Sequence, residues 1–279
     1  MLIDKYSDLI TFSSIAYPHL SLREVIKKAK EMNIRSLEIR VSENGIHINP
    51  DKDDPEKIKM FLNNEGVKII LLSSYVRARD PETIEGAREF TKMIRLIDLA
   101  NKLSVNRVRV FAYYIGDIYK TSEEVKKFIE KTRDVLIERD IRILFETHDY
   151  FAKINNLIHL IKIVERYNDV AGILFDPANI ILAGEDYNDI INIMKMLKLK
   201  DHIYHIHIKN FVKTSDHDYI YVEPDKGVVD ICRIIEDLRE ILARPVYISI
   251  EWEKLWRPEL KDPDYIIPLY IRYLRGCLD

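Results

Sequence analysis

The chain has 279 residues, 47% of them hydrophobic and 32% charged, enough to bury a large core and keep a wetted surface. Lys and Arg total 43 against 46 acids, a net charge of -3 without long blocks of like charge, which counts against a non-specific nucleic-acid binder. There are only 8 glycines, and the closest pair, Gly172 and Gly184, is twelve positions apart. That spacing excludes the GxGxxG dinucleotide fingerprint and the GxxxxGK phosphate loop, both of which need clustered, approachable backbone. Cys232 and Cys277 make neither a disulfide framework nor metal spacing, which fits a reducing interior. The opening MLIDKYSDLI lacks the basic-then-apolar pattern of a signal peptide, and no apolar run approaches the ~18 residues of a membrane span. A soluble cytoplasmic domain is the expectation.

Short apolar runs alternate with amphipathic stretches along the chain. Read as buried parallel strands, the runs fall at 10–17, 35–41, 67–74, 107–114, 141–148, 171–178, 202–210 and 246–253. Ser21 with Glu24 three residues on predicts a capping box at the start of SLREVIKKAKEMN. Asp54 before Pro55, with Gly66 at the far end, brackets a second helix. TSEEVKKFIEKTRDVL is expected to start on its hydroxyl residues, and VVDICRIIEDLREIL carries apolar residues at helical spacing. No linker composition interrupts 1–279, so it reads as one domain. A doubly wound open sheet would share this alternation, but eight βα units close naturally into a single (β/α)8 TIM barrel of the α/β class. Residues 211–228, polar, aromatic and turn-rich, break the rhythm after the seventh strand, where a barrel builds function.

A buried parallel strand should be apolar to its end, so polar residues there are informative. Glu146 and His148 close the fifth strand, Asp176 the sixth, His205 and His207 the seventh, and Glu251 the eighth. Residues two apart share a side of a strand. If Glu146 faces the barrel axis, then Asp176, His207 and Glu251 deliver a hard, oxygen-rich donor set with one imidazole to a common rim. Such a set favours one divalent ion, Mn²⁺, Mg²⁺ or Co²⁺ before Zn²⁺. The bland reading pairs each acid with Arg40, Arg107, Arg109 or Lys209 instead. His205, some 6–7 Å deeper by strand rise, reads as a hydrogen-bonded core histidine. Glu38 and Arg40 share a face of the second strand, where they form an ion pair or reach substrate. Arg77 and Arg79 read equally as an anion clamp or as solvated charges. His19, His47, His159, His202 and His217 carry no spacing signal and default to surface or loop roles.

The series FETHD (145–149), LFDPAN (174–179), HIHIKN (205–210) and ISIEWEKLWRPEL (248–260) resembles the xylose-isomerase-like TIM barrels, which include sugar isomerases and epimerases, inosose dehydratases and endonuclease-IV-type repair enzymes. The likeness spans essentially the whole chain in strand order. It implies that Glu146, Asp176, His207 and Glu251 bind the metal, and that Glu146 and Glu251 exchange protons with a small sugar or sugar-like polyhydroxy carbonyl compound. His148, Asn179 and Lys209 would contact substrate; Glu38 and Arg40 join them as candidate contacts on the strand-face reading alone. Asn179 and Asn210 depart from the family pattern, where histidine and aspartate are common; an amide can still donate to a hydroxyl. A dehydratase or lyase would begin with the same proton abstraction. The three-zinc nuclease needs further histidines, where this chain has Ser73, Ser74, Tyr113, Tyr114 and Asn179, and only Asp216, His217 and Asp218 in the loop. A silent barrel that binds a sugar or a protein is the non-enzymatic alternative. Members of such families often pair as homo-oligomers, and the tail DYIIPLYIRYLRG packs either on a neighbour or as the last helix against the barrel.

Overall fold

The structure, a computed structural model, describes residues 7–196, 201–215, 218–242 and 244–278. The expectations for Asp216 and His217, and for the first residues of the chain, lie outside the described residues. Eight parallel strands form a nearly closed barrel: β1 (Ile10–Phe12), β2 (Ser36–Arg40), β3 (Lys68–Ala78), β4 (Arg107–Ala112), β5 (Arg142–Glu146), β6 (Ala171–Phe175), β7 (Ile203–Ile208) and β10 (Tyr247–Ile250). Between β7 and β10 lies an antiparallel hairpin, β8 (Asn210–Ser215) and β9 (Asp218–Val222). A bridge between Ser13 and Glu38 brings the two ends of the sheet together. The result is the (β/α)8 TIM barrel expected from the alternation, in which strand curvature replaces a sheet edge by closure.

Local chemistry sets the helix boundaries. Helix α1 (Leu22–Glu31) opens with the Ser21–Glu24 capping box, and α2 (Pro55–Glu65) runs from an Asp54 cap to Gly66 at φ 66°. The long helix α3 (Ile84–Leu103) is capped by Thr83. Helix α4 (Ile118–Glu138) starts earlier than its hydroxyl residues suggest: Asp117 caps it, while Thr121 and Ser122 bond back to main-chain carbonyls of its first turn. A carboxylate accepting two backbone N–H groups outcompetes a hydroxyl as the cap. Helices α5 (Ile154–Arg166), α6 (Pro177–Leu182) and α7 (Tyr187–Met196) follow β5 and β6. The C-terminal α8 (Ile231–Ile241) and α9 (Pro263–Leu278) pack together, so the tyrosine-rich tail serves as the last helix of the barrel. No described helix is long and apolar enough to cross a membrane.

Two expectations are corrected. The segment 211–228 is not merely a turn-rich loop, since its first half pairs as the β8–β9 hairpin. Cys232 and Cys277 form a disulfide, with Cα atoms 4.9 Å apart. Forty-five residues separate them in sequence, which hides that α8 and α9 are neighbours.

The barrel interior is layered. Arg107, Arg109 and Phe111 alternate onto one side of β4, as do Arg142, Leu144 and Glu146 on β5. Leu71, Leu144 and Leu174 form a small apolar cluster apart from the main core, with Tyr204 packed against it. Gly172 makes room for that tyrosine, because a Cβ there would stand 2.5 Å from its ring.

Candidate metal and proton-transfer centre

The carboxyl ends of four barrel strands converge above the leucine layer. Ligand atoms of Glu146, Asp176, His207 and Glu251 lie within 4.8 Å of one another, and all four residues are buried. Each is placed by its element. Glu146 ends β5, and His207 stands near the end of β7 with its side chain on the axis. Glu251 follows β10 directly, and Asp176 caps α6 by accepting from the Asn179 N–H at 3.0 Å. Capping engages Asp176 Oδ1 and leaves Oδ2 turned to the centre, 2.9 Å from Lys209 Nζ but without hydrogen-bond geometry.

His207 is held by its other ring nitrogen. Its Nε2 donates to Glu38 Oε2 at 2.9 Å, because a carboxylate can only accept. Its Nδ1 then faces Glu251 Oε1 at 3.3 Å and Glu146 Oε1 at 3.5 Å, and makes no hydrogen bond. The surroundings are strongly anionic. Burial opposes charge on His207, yet Glu251 and Glu38 hold it well above the ordinary imidazole range. Asp176 is pushed up to about 6 by burial, against the pull of Lys209. Glu146, which burial alone would raise, is kept below the usual range by Arg109, and Glu251 well below it by His207 and Lys209. Three carboxylates around one imidazole call for positive charge at their centre. The orphaned Nδ1, the Asp176 Oδ2 that accepts no hydrogen bond and this oxygen-rich donor set all fit a divalent ion.

Two cations partly answer that demand. Arg109 Nη1 reaches Glu146 Oε2 at 3.0 Å and Glu251 Oε1 at 3.5 Å, spanning the two glutamates. Lys209 Nζ touches Glu251 Oε2 at 2.6 Å and Glu253 Oε1 at 2.7 Å in addition to Asp176. Lys209 therefore neutralises the centre's own acids rather than standing free. Arg40 and Arg107, the other cations considered for this pairing, take no part in it.

A cavity of about 770 Å³ opens above the centre; Glu146, Glu251, Arg109 and His148 line it, with walls of Tyr75, Phe111, Tyr219 and Trp256. His148 packs edge-on against Phe111, with Nδ1 3.1 Å from Asp149 Oδ2. Asn179 Nδ2 lies 3.5 Å from Glu146 Oε1. Glu38 and Arg40 stay outside the cavity lining and do not pair with each other. Glu38 is fully buried and accepts from Ser73, His205 and His207, whereas Arg40 donates to Tyr75 and Asn44. His205 lies one step below His207 on β7 and bonds to the same Glu38 oxygen at 3.2 Å.

Asn210 does not point at a substrate either. Its Nδ2 donates to Pro224 and Val229 carbonyls, and its Oδ1 accepts from Phe211 and Val229 N–H. Gly227 lets this clamp close, since a Cβ there would stand 1.9 Å from Asn210 Oδ1. Aspartate could not donate to two carbonyls, which accounts for the amide at this position. His47 and His202 are buried rather than superficial. Glu253 and Tyr221 belong to the site without having been singled out: Tyr221 donates to Glu253 at 2.6 Å, and Glu253 holds Lys209. The spacing of two from Glu251 was the available signal for Glu253, and Tyr221 is carried in by the hairpin.

Fold and centre together define a class of (β/α)8 barrels that gather acids and an imidazole at the C-terminal rim. A family model described as xylose isomerase-like TIM barrel matches residues 26–275, and the chain belongs to that family. No curated protein matches the sequence. Among solved structures, the IolI protein with a bound zinc atom is similar at a TM-score of 0.77 and 14% identity, covering 96% of this chain and 97% of its own. An L-ribulose 3-epimerase matches at 0.74 and 13%, with 96% and 94% covered. The probable 3-DHS dehydratase AsbF of Bacillus anthracis matches at 0.71 and 19%, with 95% and 98% covered. At such identities the likeness speaks for the fold.

Proposed function

We propose that the chain is a divalent-metal-dependent isomerase or epimerase of a small sugar or sugar-like polyhydroxy carbonyl compound. The observation that carries this reading is the buried set of Glu146, Asp176, His207 and Glu251, with an unpartnered imidazole nitrogen, whose two glutamates line a 770 Å³ cavity. A divalent ion held by these four residues, Mn²⁺, Mg²⁺, Co²⁺ or Zn²⁺, would supply Lewis-acid polarisation of a substrate carbonyl. Glu146 and Glu251 are both held anionic, so either carboxylate can take a proton from the carbon beside that carbonyl. The proton then rests on a glutamate oxygen and is returned to the former carbonyl carbon while the hydroxyl proton passes to the former carbonyl oxygen (isomerisation), or the carbon that lost it is reprotonated on its other face by the opposite glutamate (epimerisation). Arg109, bridging the pair, helps to keep both carboxylates ionised and ready to accept the proton. His148 at the cavity wall is placed to hold a substrate hydroxyl, and Asn179 to steady Glu146. Lys209 keeps the acid ring charge-balanced.

The test has two parts. Metal analysis of purified protein should find about one divalent ion, reduced in Glu146→Gln and Glu251→Gln. With a panel of ketoses in D2O, turnover should place deuterium on the carbon next to the carbonyl. A parent protein without metal above background sinks the reading, as does turnover without exchange. The same NMR spectra would show a dehydrated product if the chain eliminates water, as the likeness to a dehydratase allows. Nicking of abasic DNA should be absent.

A further inference from the structure

The opposite, N-terminal mouth of the barrel carries a second concentration of charge of the other sign. Lys68, Arg107 and Arg142 are the first residues of β3, β4 and β5, and Arg244 stands three residues before β10. They gather on two tyrosines. Arg142 and Arg244 lie 4.2 and 3.9 Å from the centre of the Tyr204 ring, and Lys68 and Arg107 lie 5.7 and 5.9 Å from that of Tyr247. Among the described residues none of the four has a carboxylate within 4.0 Å. Asp140 lines both adjoining clefts, of about 400 and 430 Å³, and Asp169 the first of them; both act on Arg142 from beyond 4.0 Å, and Asp169 is itself held by Arg133 at 2.7 Å.

The contrast within β4 is direct. Arg109 and Arg107 project from the same side of one strand; the upper one bridges two glutamates, whereas the lower one, beside the Tyr247 ring, donates to the Tyr204 carbonyl at 3.2 Å and meets no carboxylate among the described residues. Arg142 and Arg244 likewise donate to main-chain carbonyls and leave most of their N–H groups uncommitted. Burial, together with their mutual repulsion, pulls Arg107 and Arg142 below the ordinary guanidinium value. Half-buried cations normally come with a counter-charge. The Leu71–Leu144–Leu174 layer separates this mouth from the acid centre, so the acids above cannot provide it.

We propose that the N-terminal mouth of the barrel is a second ligand site, taking a small polyvalent oxyanion such as a phosphate group between Arg142, Arg244, Arg107 and Lys68. Forked guanidinium donors suit tetrahedral oxyanions, and the flanking tyrosines keep the cations in place. The site is independent of the chemistry proposed for the other rim.

Isothermal titration and thermal melts with inorganic phosphate, pyrophosphate and glycerol phosphate, against chloride at equal ionic strength, test it. The parent should bind saturably and melt at a higher temperature with bound anion. The double variant Arg142→Gln/Arg244→Gln should bind at least about tenfold more weakly, as expected for losing two charge-assisted contacts. Lys68→Gln, at an exposed position that does not threaten folding, should weaken binding by about threefold. Arg257→Gln, at the rim of the upper cavity, should leave the affinity unchanged. Tighter binding of glycerol phosphate than of phosphate would make the ligand a phosphate ester, and equal binding would make it the free ion. The proposal is overturned if the parent shows no saturable response, if Lys68→Gln and the double variant keep the full affinity, or if Arg257→Gln abolishes it.

Discussion

Glu38 offers the sharpest test of how the centre is organised. Its carboxylate is fully buried and accepts three hydrogen bonds: Ser73 Oγ at 2.6 Å, His207 Nε2 at 2.9 Å and His205 Nε2 at 3.2 Å. The imidazoles, working against burial, hold it well below the usual carboxylate range, so it is anionic. In Glu38→Gln, one side of the new amide presents N–H groups to donors, and at least one buried hydrogen bond is lost. That costs about 1–3 kcal/mol, and removing the charge opposite His207 brings the expected loss to about 2–4 kcal/mol. His207 would also lose the contact that fixes its Nε2–H form and turns Nδ1 to the centre. Removing such an outer contact typically weakens metal binding 10–100-fold. Titration of chelator-stripped protein with Mn²⁺, paired with urea unfolding, reads both effects. Ser73→Ala is the control, expected to cost about 1 kcal/mol with metal affinity within about threefold. If Glu38→Gln binds Mn²⁺ as tightly as the parent, Glu38 does not orient His207 and the Nδ1 argument fails.

Two other expectations concern stability. His47 donates from Nε2 to the Tyr17 carbonyl and accepts from Ser14 on Nδ1, and burial lowers its pKa from 6.5 to about 4. Its neutral form therefore adds stability that is complete above pH 6.5 and is lost as pH falls to about 4, up to about 3 kcal/mol. Denaturant melts of His47→Gln should lie lower than the parent at pH 7 and fall less steeply between these limits; parallel profiles would sink the assignment. Asn210→Asp loses both amide donors and sets a carboxylate against the Pro224 and Val229 carbonyls. A loss of about 2–4 kcal/mol is expected, and a change below about 0.5 kcal/mol in urea melts would show that the clamp is dispensable.

The barrel was legible because its signals are local. Strand runs, the Ser21–Glu24 box and the Asp54–Gly66 bracket each depend on neighbours in sequence. The convergence of Glu146, Asp176, His207 and Glu251 could also be anticipated, since alternation along parallel strands fixes which side chains share the axis. What stayed hidden depends on which distant partner fills a given hydrogen-bond position. Glu38 and Arg40 share a strand face, yet one finds two histidines and the other a tyrosine, because curvature brings β7 to Glu38. Asn210 looked like a substrate contact until the fold of 211–228 placed two carbonyls on it. The cysteine pair was hidden for the same reason, since only the packing of α8 on α9 joins it, whereas the tail was already legible as a last helix against the barrel.

The Asn210 clamp has a consequence for how the cavity can change over time. The hairpin it anchors brings Tyr219 to the far wall and Tyr221 onto Glu253, while the acid ring is fixed by the ends of β5, β6, β7 and β10. One amide and one glycine thus form a hinge pin between a replaceable wall and a fixed floor. Hairpins of different length or composition can be exchanged on that pin, changing which molecules fit, as long as the hydroxyl that Tyr221 gives to Glu253 is kept.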